Sequence, residues 1–426
     1  MSRRLFGIIS ILCVFTLSCN TATADNKPRV VISTDIGGTD PDDNQSMAHL
    51  LMYSDCFDLE GLVSSPSFGS GSKEEILRMI DLYEHDLKKL RKHNKKLMSP
   101  KKLRSICKQG GRGRFDFIGA GASTEGSDWI IKCALRKKSR PLWVLVWGGL
   151  EDLAQALHDA PEIADKIKVY WIGGPNKKWC VNSYNYIAEN FPNLWMIENN
   201  ASYRGFITDG KNPDKYEGGY YESCIEGKGV LGADFKNYYK GNVKMGDTPS
   251  LLYLMNGNPD KPEGESWGGS FEKTATSPKT IFTRNTTEKD TVAVYSVIEY
   301  RLTGPVTNMP AGTECFIFNI DKQDWPGYYL GNGIYAIRYA AKAPAILKYT
   351  ITSSIKELNG MSGSITISAL WPGKETNSAY VLGDNWYTDK QSPELFKGAW
   401  QGYKTVEKWR KDVLRDWEKR WEWLQD

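Results

Sequence analysis

The densest chemistry in the chain lies in the run Asp35-Ile36-Gly37-Gly38-Thr39-Asp40-Pro41-Asp42-Asp43. An apolar stretch, Val30 to Ile32, precedes it and reads as a short buried strand. Two glycines and a proline turn the chain. Met47, Leu50 and Leu51 then recur at helical spacing, which predicts a helix from Gln45 to Tyr53, just after the acidic pair. Asp35, Asp40, Asp42 and Asp43 therefore share one strand-to-helix loop, and in α/β proteins such loops are where ligands bind. Like charges this crowded repel, and a bound cation is the simplest compensation. Hard oxygen donors on a flexible loop suit calcium best and magnesium second. A solvated acidic turn is the plain alternative, since Asp hydrogen-bonds its own backbone in turns. The strand before, the glycines within and the helix after argue against it.

The surrounding elements repeat the same alternation. Leu59 to Ser65 reads as a second strand, Glu74 to Lys89 as a helix with an apolar face, and Trp129 to Arg136 as a short helix. Leu142 to Trp147 is a continuous apolar run, as central parallel strands are. Gly148-Gly149 turns it into a helix at Glu151 to Leu157, and strands follow at Ile167 to Ile172 and Leu194 to Glu198. Strands alternating with helices imply a mostly parallel sheet flanked by helices. From Lys279 the texture becomes β-rich, with segments at Thr291 to Val297, Glu314 to Ile320, Gly333 to Tyr339, Ala345 to Thr352 and Ser364 to Ala369. That predicts a small antiparallel sandwich. From Asn385 the chain turns helical and aromatic again. Trp409, Val413, Trp417 and Trp421 recur every fourth position, a stripe that packs back on a core. The expected division is an α/β domain of residues 28–278 plus 385–426, with a β-sandwich at 279–384 inserted in it.

Composition removes several function classes. A net charge of +4, with both signs interspersed over 426 residues, does not suggest a nucleic-acid binder. None of the 4 histidines stands in a nucleophile motif, so Ser-His-Asp and Cys-His mechanisms have little support. The basic start Met1-Ser2-Arg3-Arg4 and the apolar run Leu5 to Leu17 form a signal peptide, too short to span a membrane. Two exits compete: Thr16-Leu17-Ser18-Cys19, a lipobox that would place a lipid anchor on Cys19, and the small-x-small site Ala22-Thr23-Ala24. The lipobox is preferred. The expected place is the periplasm or outer membrane as a lipoprotein, or soluble export. Six further cysteines, Cys56, Cys107, Cys133, Cys180, Cys224 and Cys315, contain no CxxC, so zinc and redox sites are not expected and disulfide pairing stays open.

Asp35-Ile36-Gly37 with the Asp42-Asp43 pair resembles the signature of nucleoside hydrolases. Trp147-Gly148-Gly149-Leu150-Glu151-Asp152-Leu153-Ala154 is similar to that family's later strand-to-helix loop, Ile172-Gly173-Gly174 to its Met-Gly-Gly, and Gly246-Asp247-Thr248-Pro249-Ser250 to the start of the helix with its last metal-binding aspartate. The likeness covers about residues 29–270. The loop form Asp-Ile-Gly-Gly-Thr-Asp-Pro-Asp-Asp, with Asn200-Ala201-Ser202-Tyr203-Arg204-Gly205 and Trp267-Gly268-Gly269, looks like an exported bacterial branch often named cellulose-binding. The resemblance implies bound calcium held by Asp35, Asp43, Asp247 and the backbone carbonyl of Trp147. It implies Asp35 as the base toward water, Asp42 on a sugar hydroxyl, and Asn185 at the sugar's far end. Ser33 stands where the family often has Asp, and Gly246 where it can have a base-assisting histidine. The metal and sugar half of a site is thus expected without the nucleobase half. Two functions follow: a calcium-dependent hydrolase of an N- or O-glycosidic bond in an extracellular glycoside or glycan, or a non-catalytic carbohydrate-binding lipoprotein that kept the fold.

Overall fold

Val30 and Ile32 point to one side of their strand and Val31 to the other, and all three are fully buried, so the strand must be covered on both faces. The computed structural model, which describes residues 27–369, 376 and 378–425, supplies that cover. The export signal, with Cys19 and the alternative exit at Ala24, lies outside the described residues.

The chain alternates strand and helix: β1 (Arg29–Thr34), α1 (Asp42–Met52), β2 (Asp58–Ser64), α2 (Lys73–His93), α3 (Pro100–Ser105), β3 (Cys107–Gln109), α4 (Glu125–Ala134), β4 (Leu142–Val146), α5 (Glu151–Asp159), β5 (Ile167–Ile172), α6 (Asn176–Trp179), α7 (Val181–Asn190), β6 (Met196–Asn199), α8 (Gly229–Phe235), α9 (Thr248–Met255) and β7 (Phe271–Lys273). The strands from β1 to β6 form a parallel sheet in the order β3-β2-β1-β4-β5-β6. Side chains split between two cores: Val30, Ile32 and Leu145 pack on one face, Val31, Val144 and Val146 on the other. Strand order reverses between β1 and β4. Their carboxyl ends therefore open a crevice at which doubly wound sheets bind ligands.

The acidic pair is inside α1 rather than before it. Asp42 and Asp43 occupy the first turn, where the helix dipole favours negative charge, so the helix starts three residues earlier than the apolar spacing predicts.

After β7 come β8 (Thr276–Ser277), β9 (Lys279–Phe282), β10 (Thr291–Ala293), β11 (Val297–Thr303), β12 (Thr313–Ile320), β13 (Gln323–Gly331), β14 (Ile334–Ala340), β15 (Ala345–Ser353), β16 (Ser362–Ser368), β17 (Tyr380–Val381) and β18 (Trp386–Asp389). Strands β9 to β16 form a second, largely antiparallel sheet of eight strands. It curls over on itself. Tyr300 of β11 packs 5.2 Å from both Phe318 of β12 and Tyr349 of β15, strands that are not its neighbours. The two packed layers thus belong to one continuous ladder. A two-stranded ribbon of β8 and β17 accompanies it. The predicted segment Thr291 to Val297 is two strands, broken where Tyr295 takes a φ of 63°.

Strand β18 returns to the first sheet, parallel to β6 and antiparallel to β7. The last helix, α10 (Tyr403–Glu422), then lies on the first core. Trp417 and Trp421 are fully buried, and Trp417 sits 6.0 Å from Tyr220 and 5.8 Å from Phe235. No disulfide joins any two of Cys56, Cys107, Cys133, Cys180, Cys224 and Cys315. No described helix is long and apolar enough to cross a membrane.

Deleting residues from Asn385 onward removes a strand from inside the sheet and three buried tryptophans, Trp386, Trp417 and Trp421. A chain so shortened is expected to aggregate without a cooperative melt. Trp417→Ala alone is expected to cost about 3–5 kcal/mol of stability, read by chemical denaturation.

Candidate functional site

Three elements aim carboxylates at the crevice. Asp35 follows β1, Asp42 and Asp43 lie in the first turn of α1, and Asp247 sits at the N-terminal boundary of α9. Side-chain oxygens of Asp42, Asp43 and Asp247 all come within 4.8 Å of one another. Asp35 meets the Asp43 side chain from the β1 side and lines the same cavity of about 350 Å3. Trp147, just after β4, borders it as well, and its carbonyl accepts a hydrogen bond from Asn176 Nδ2 at 3.3 Å.

Burial and mutual repulsion set the electrostatics. Asp43 and Asp247 are 2% and 3% exposed. Burial pushes the Asp35 carboxyl up to about 6, with Asp40 adding repulsion, while hydrogen bonds to Asp43 and Ser67 oppose the rise. Asp42, Asp43 and Asp247 are driven well above the usual carboxylate range, first by burial and then by neighbouring carboxylates: Asp40 and Asp35 act on Asp42, Asp247 and Asp35 on Asp43, and Asp42 and Asp35 on Asp247. Local support is thin. The Thr34 hydroxyl donates to Asp43 Oδ1 and accepts from the Ile36 N–H at 3.1 Å. Lys244 Nζ donates to both oxygens of Asp40, at 2.8 and 2.6 Å. Asp247 Oδ2 is buried with no hydrogen-bond partner. An all-oxygen donor set, crowded and carrying an orphaned buried oxygen, fits a hard divalent cation, calcium foremost.

The remaining wall comes from residues that spacing did not single out as ligands. Asn176, at the start of α6, donates its amide to the Ile172 carbonyl at 3.0 Å and faces the cavity. Tyr203 and Arg204, in the short turn Ser202–Phe206, close another side. Their motif had been visible in the sequence, though without a role. Lys342 and Ala343 reach in from the second sheet, after β14. Nothing in the local sequence around Lys342 signals this.

Asn185 is a correction. It does not line the cavity. Its Oδ1 accepts from Lys279 Nζ at 3.0 Å and Tyr380 Oη at 2.7 Å, and its amide donates to Glu189 at 3.1 Å. Those partners consume the side chain in a buried junction between α7 and the second sheet. Gly246 has a packing reason. A Cβ there would stand 2.7 Å from Asp42 Oδ2, so no larger side chain fits without displacing that carboxylate. Ser33, which stands where the resembled family often has Asp, is 1% exposed with its hydroxyl unpartnered.

A family model described as "Cellulose-binding Sde182, nucleoside hydrolase-like domain" matches residues 29–271. A second, described as a domain of unknown function (DUF5060), matches residues 291–354. Among solved structures, a nucleoside hydrolase-related hypothetical protein from Saccharophagus degradans associated with carbohydrate metabolism is similar at 17% identity, with 80% of this chain and 99% of that chain covered and a TM-score of 0.49. An inosine-uridine preferring nucleoside hydrolase from Bacillus anthracis is similar at 13% identity, with 80% and 94% covered and a TM-score of 0.36. No curated protein matches the chain.

Calcium is expected to raise the melting temperature of the wild-type protein, because a ligand bound to the native state alone stabilises it by about 2.7 kcal/mol at 100 times its Kd. Asp247→Asn is expected to abolish that rise. In chelator the same variant should melt at or above the wild type, since one buried charge is gone. Calorimetric melts with calcium and with chelator read both.

Proposed function

This chain belongs to the nucleoside hydrolase-like family of the cellulose-binding Sde182 proteins, and on that premise we propose that it is a calcium-dependent hydrolase of an N- or O-glycosidic bond in an extracellular glycoside or glycan. One observation carries the reading. Buried carboxylates from β1, α1 and α9 converge under a cavity of small-molecule size, and Asp247 Oδ2 lacks any partner.

Asp43 and Asp247, with Asp35 and the Trp147 carbonyl, would hold the ion. A calcium ion bound there lowers the pKa of a water beside it. Asp35 takes the water's proton on a carboxylate oxygen as the water's oxygen attacks the anomeric carbon. Asp42, partly open to the cavity, accepts a hydrogen bond from a sugar hydroxyl. Tyr203 walls off solvent. The transition state is oxocarbenium-like, and crowded carboxylates favour the positive charge it develops on the sugar. A glycan or glycoside is favoured over a nucleoside as substrate, and within that class a sugar leaving through oxygen over a nucleobase leaving through nitrogen. Gly246 offers no proton donor, and the space a histidine would need is taken by Asp42.

A second reading rests on the family's description as cellulose-binding: the same cavity holds a sugar without cutting it. In either case the N-terminal segment would send the protein out of the cytoplasm, as a lipoprotein anchored through Cys19 or as a soluble chain cut at Ala22-Thr23-Ala24.

A panel of nitrophenyl glycosides and plant or algal oligosaccharides, run with calcium and with chelator, separates the two. The hydrolase reading expects cleavage that needs calcium. It also expects Asp35→Asn to lose about 10²–10⁴-fold in kcat while still binding sugar. Binding with no turnover across the panel supports the second reading, and rapid hydrolysis of inosine or uridine overturns the assignment of the leaving group.

A further inference from the structure

A larger cavity, about 410 Å3, adjoins the acidic one along the seam between the two sheets. Ser67 lines it and donates its hydroxyl at 3.1 Å to Asn176, which lines the acidic cavity. Glu151, the first residue of α5, borders the larger cavity. Its side chain is 1% exposed, and neither carboxylate oxygen has a hydrogen-bond partner. An ionised carboxylate in that state is costly, so the neutral acid is favoured. Burial pushes the Glu151 carboxyl well above the usual range and Asp152 and Asp35 add repulsion, opposed by the dipole of its own backbone N–H, too poorly aimed to be a hydrogen bond, and by Arg114.

Asp35 and Glu151 flank one turn. A Cβ on Gly148 would stand 2.9 Å from Asp35 Oδ1, and a Cβ on Gly149 would stand 2.1 Å from Glu151 Oε2. The two carboxyl groups thus stand on either side of two glycines, Asp35 lining the acidic cavity and Glu151 the larger one. The outer wall is aromatic: Phe68, 54% exposed, leans on Trp179 at 4.6 Å, and Trp179 stacks on Trp325 at 5.6 Å. The Arg114 guanidinium lies 4.4 Å over the Trp325 ring. Apolar ring faces beside polar groups suit the faces and hydroxyls of a sugar.

Resting on the reading that the acidic cavity holds the sugar whose bond is cut, we propose that this adjoining cavity holds the leaving-group sugar and that Glu151 is the proton donor to its departing oxygen. The water's oxygen bonds to the anomeric carbon and its proton goes to Asp35. The bond from that carbon to the leaving oxygen breaks, and its electron pair stays on the oxygen. Glu151 gives that oxygen its proton. Asp35 ends protonated and Glu151 ionised, and exchange with solvent resets both. The arrangement supplies the acid that Gly246 does not.

The test compares wild type, Glu151→Gln, Asp35→Asn and Phe68→Ala on two calcium-loaded reactions. One substrate is the nitrophenyl glycoside that wild type cleaves fastest; the other is an oligosaccharide of the same sugar. A nitrophenolate departs without a proton, whereas a sugar alkoxide does not. Glu151→Gln is expected to lose about 10²–10⁴-fold on the oligosaccharide, stay within a few-fold on the nitrophenyl substrate, and lose the high-pH limb of the kcat profile. Asp35→Asn is impaired on both. Phe68→Ala, at an exposed position, raises KM for the oligosaccharide alone. Equal loss by Glu151→Gln on both substrates, or none on either, overturns its role as donor. An unchanged KM in Phe68→Ala, or a wild type that cleaves the nitrophenyl glycoside and no oligosaccharide, overturns the cavity's assignment. A wild type that cleaves neither overturns the hydrolase reading itself, and this one with it.

Discussion

Carboxylates held together out of water are the constraint on which the rest of this structure depends. The Asp42, Asp43 and Asp247 oxygens lie within 4.8 Å of one another, and two like charges at that distance repel by roughly 3.5 kcal/mol at an effective dielectric near 20. The hydrogen bonds that reach Asp43 from the Thr34 hydroxyl and the Asp35 side chain offset only part of that sum. Part of the compensation is built into the backbone. Asp42 and Asp43 lie in the first turn of α1 and Asp247 at the start of α9, so two helix N-termini present partial positive charge to the same point. Lys244 is spent on Asp40 at the rim. The remainder calls for a cation, and the sheet explains why the demand arises here. Only at the strand-order reversal between β1 and β4 do loops diverge enough for three separate elements to converge.

The walls of the site are held from the far end of the chain. Asp389, the last residue of β18, accepts the backbone N–H groups of Asn200 and Ala201 at 2.8 Å and of Ser202 at 3.1 Å. Asn199 accepts from the Tyr203 N–H at 3.0 Å. Together they set the turn that presents Tyr203 and Arg204. Beneath it, Glu198 is fully buried and paired with Lys177, and it also accepts from Tyr184 Oη at 2.9 Å, Asn200 Nδ2 at 2.9 Å and Trp386 Nε1 at 3.1 Å. A buried pair of this kind adds little net stability over an apolar pair, but removing one partner leaves an uncompensated charge. Its value is positional. It ties β6, α6, α7 and β18 together directly under the cavity, so a residue some 190 positions from Asn200 governs how the cavity is shaped.

The α/β architecture is legible in the sequence because β1, β4 and β5 are unbroken apolar runs and their helices follow at once. Three acidic residues of the site are legible for the same reason: they follow a strand that announces itself. Other parts are not. β18 is four residues long, too short to show a period, and β13 carries Pro326 and Gly327, which read as a turn. Asp247 stands out only through likeness to a family, since a lone Asp before a helix is common in any chain. Asn185 misleads because a buried amide can serve a packed junction as readily as a ligand, and its neighbours Lys279 and Tyr380 come from segments about 95 and 195 residues away. Lys342 and Trp325 were out of reach altogether, because contacts across a domain seam leave no periodic mark on either side.

That seam changes what the second sheet is for. It supplies Lys342 and Ala343 to the acidic cavity and Trp325, Tyr328 and Arg338 to its neighbour. Arg338 is fastened across it, donating to Glu299 at 2.7 Å on its own sheet and to the Phe117 carbonyl at 2.6 Å on the other side. The two cavities are thus formed jointly, and a ligand long enough to lie in both must touch both sheets. Asp35 and Glu151 then sit in unlike surroundings on one glycine turn. A cation beside Asp35 would favour its charged form, whereas at Glu151 burial and the like charges of Asp152 and Asp35 outweigh the opposing backbone N–H and Arg114. Two carboxyl groups whose environments pull them in opposite directions are what acid–base division of labour requires. Neither sheet creates that difference alone: the first places both groups, and the second walls the cavity that Glu151 faces.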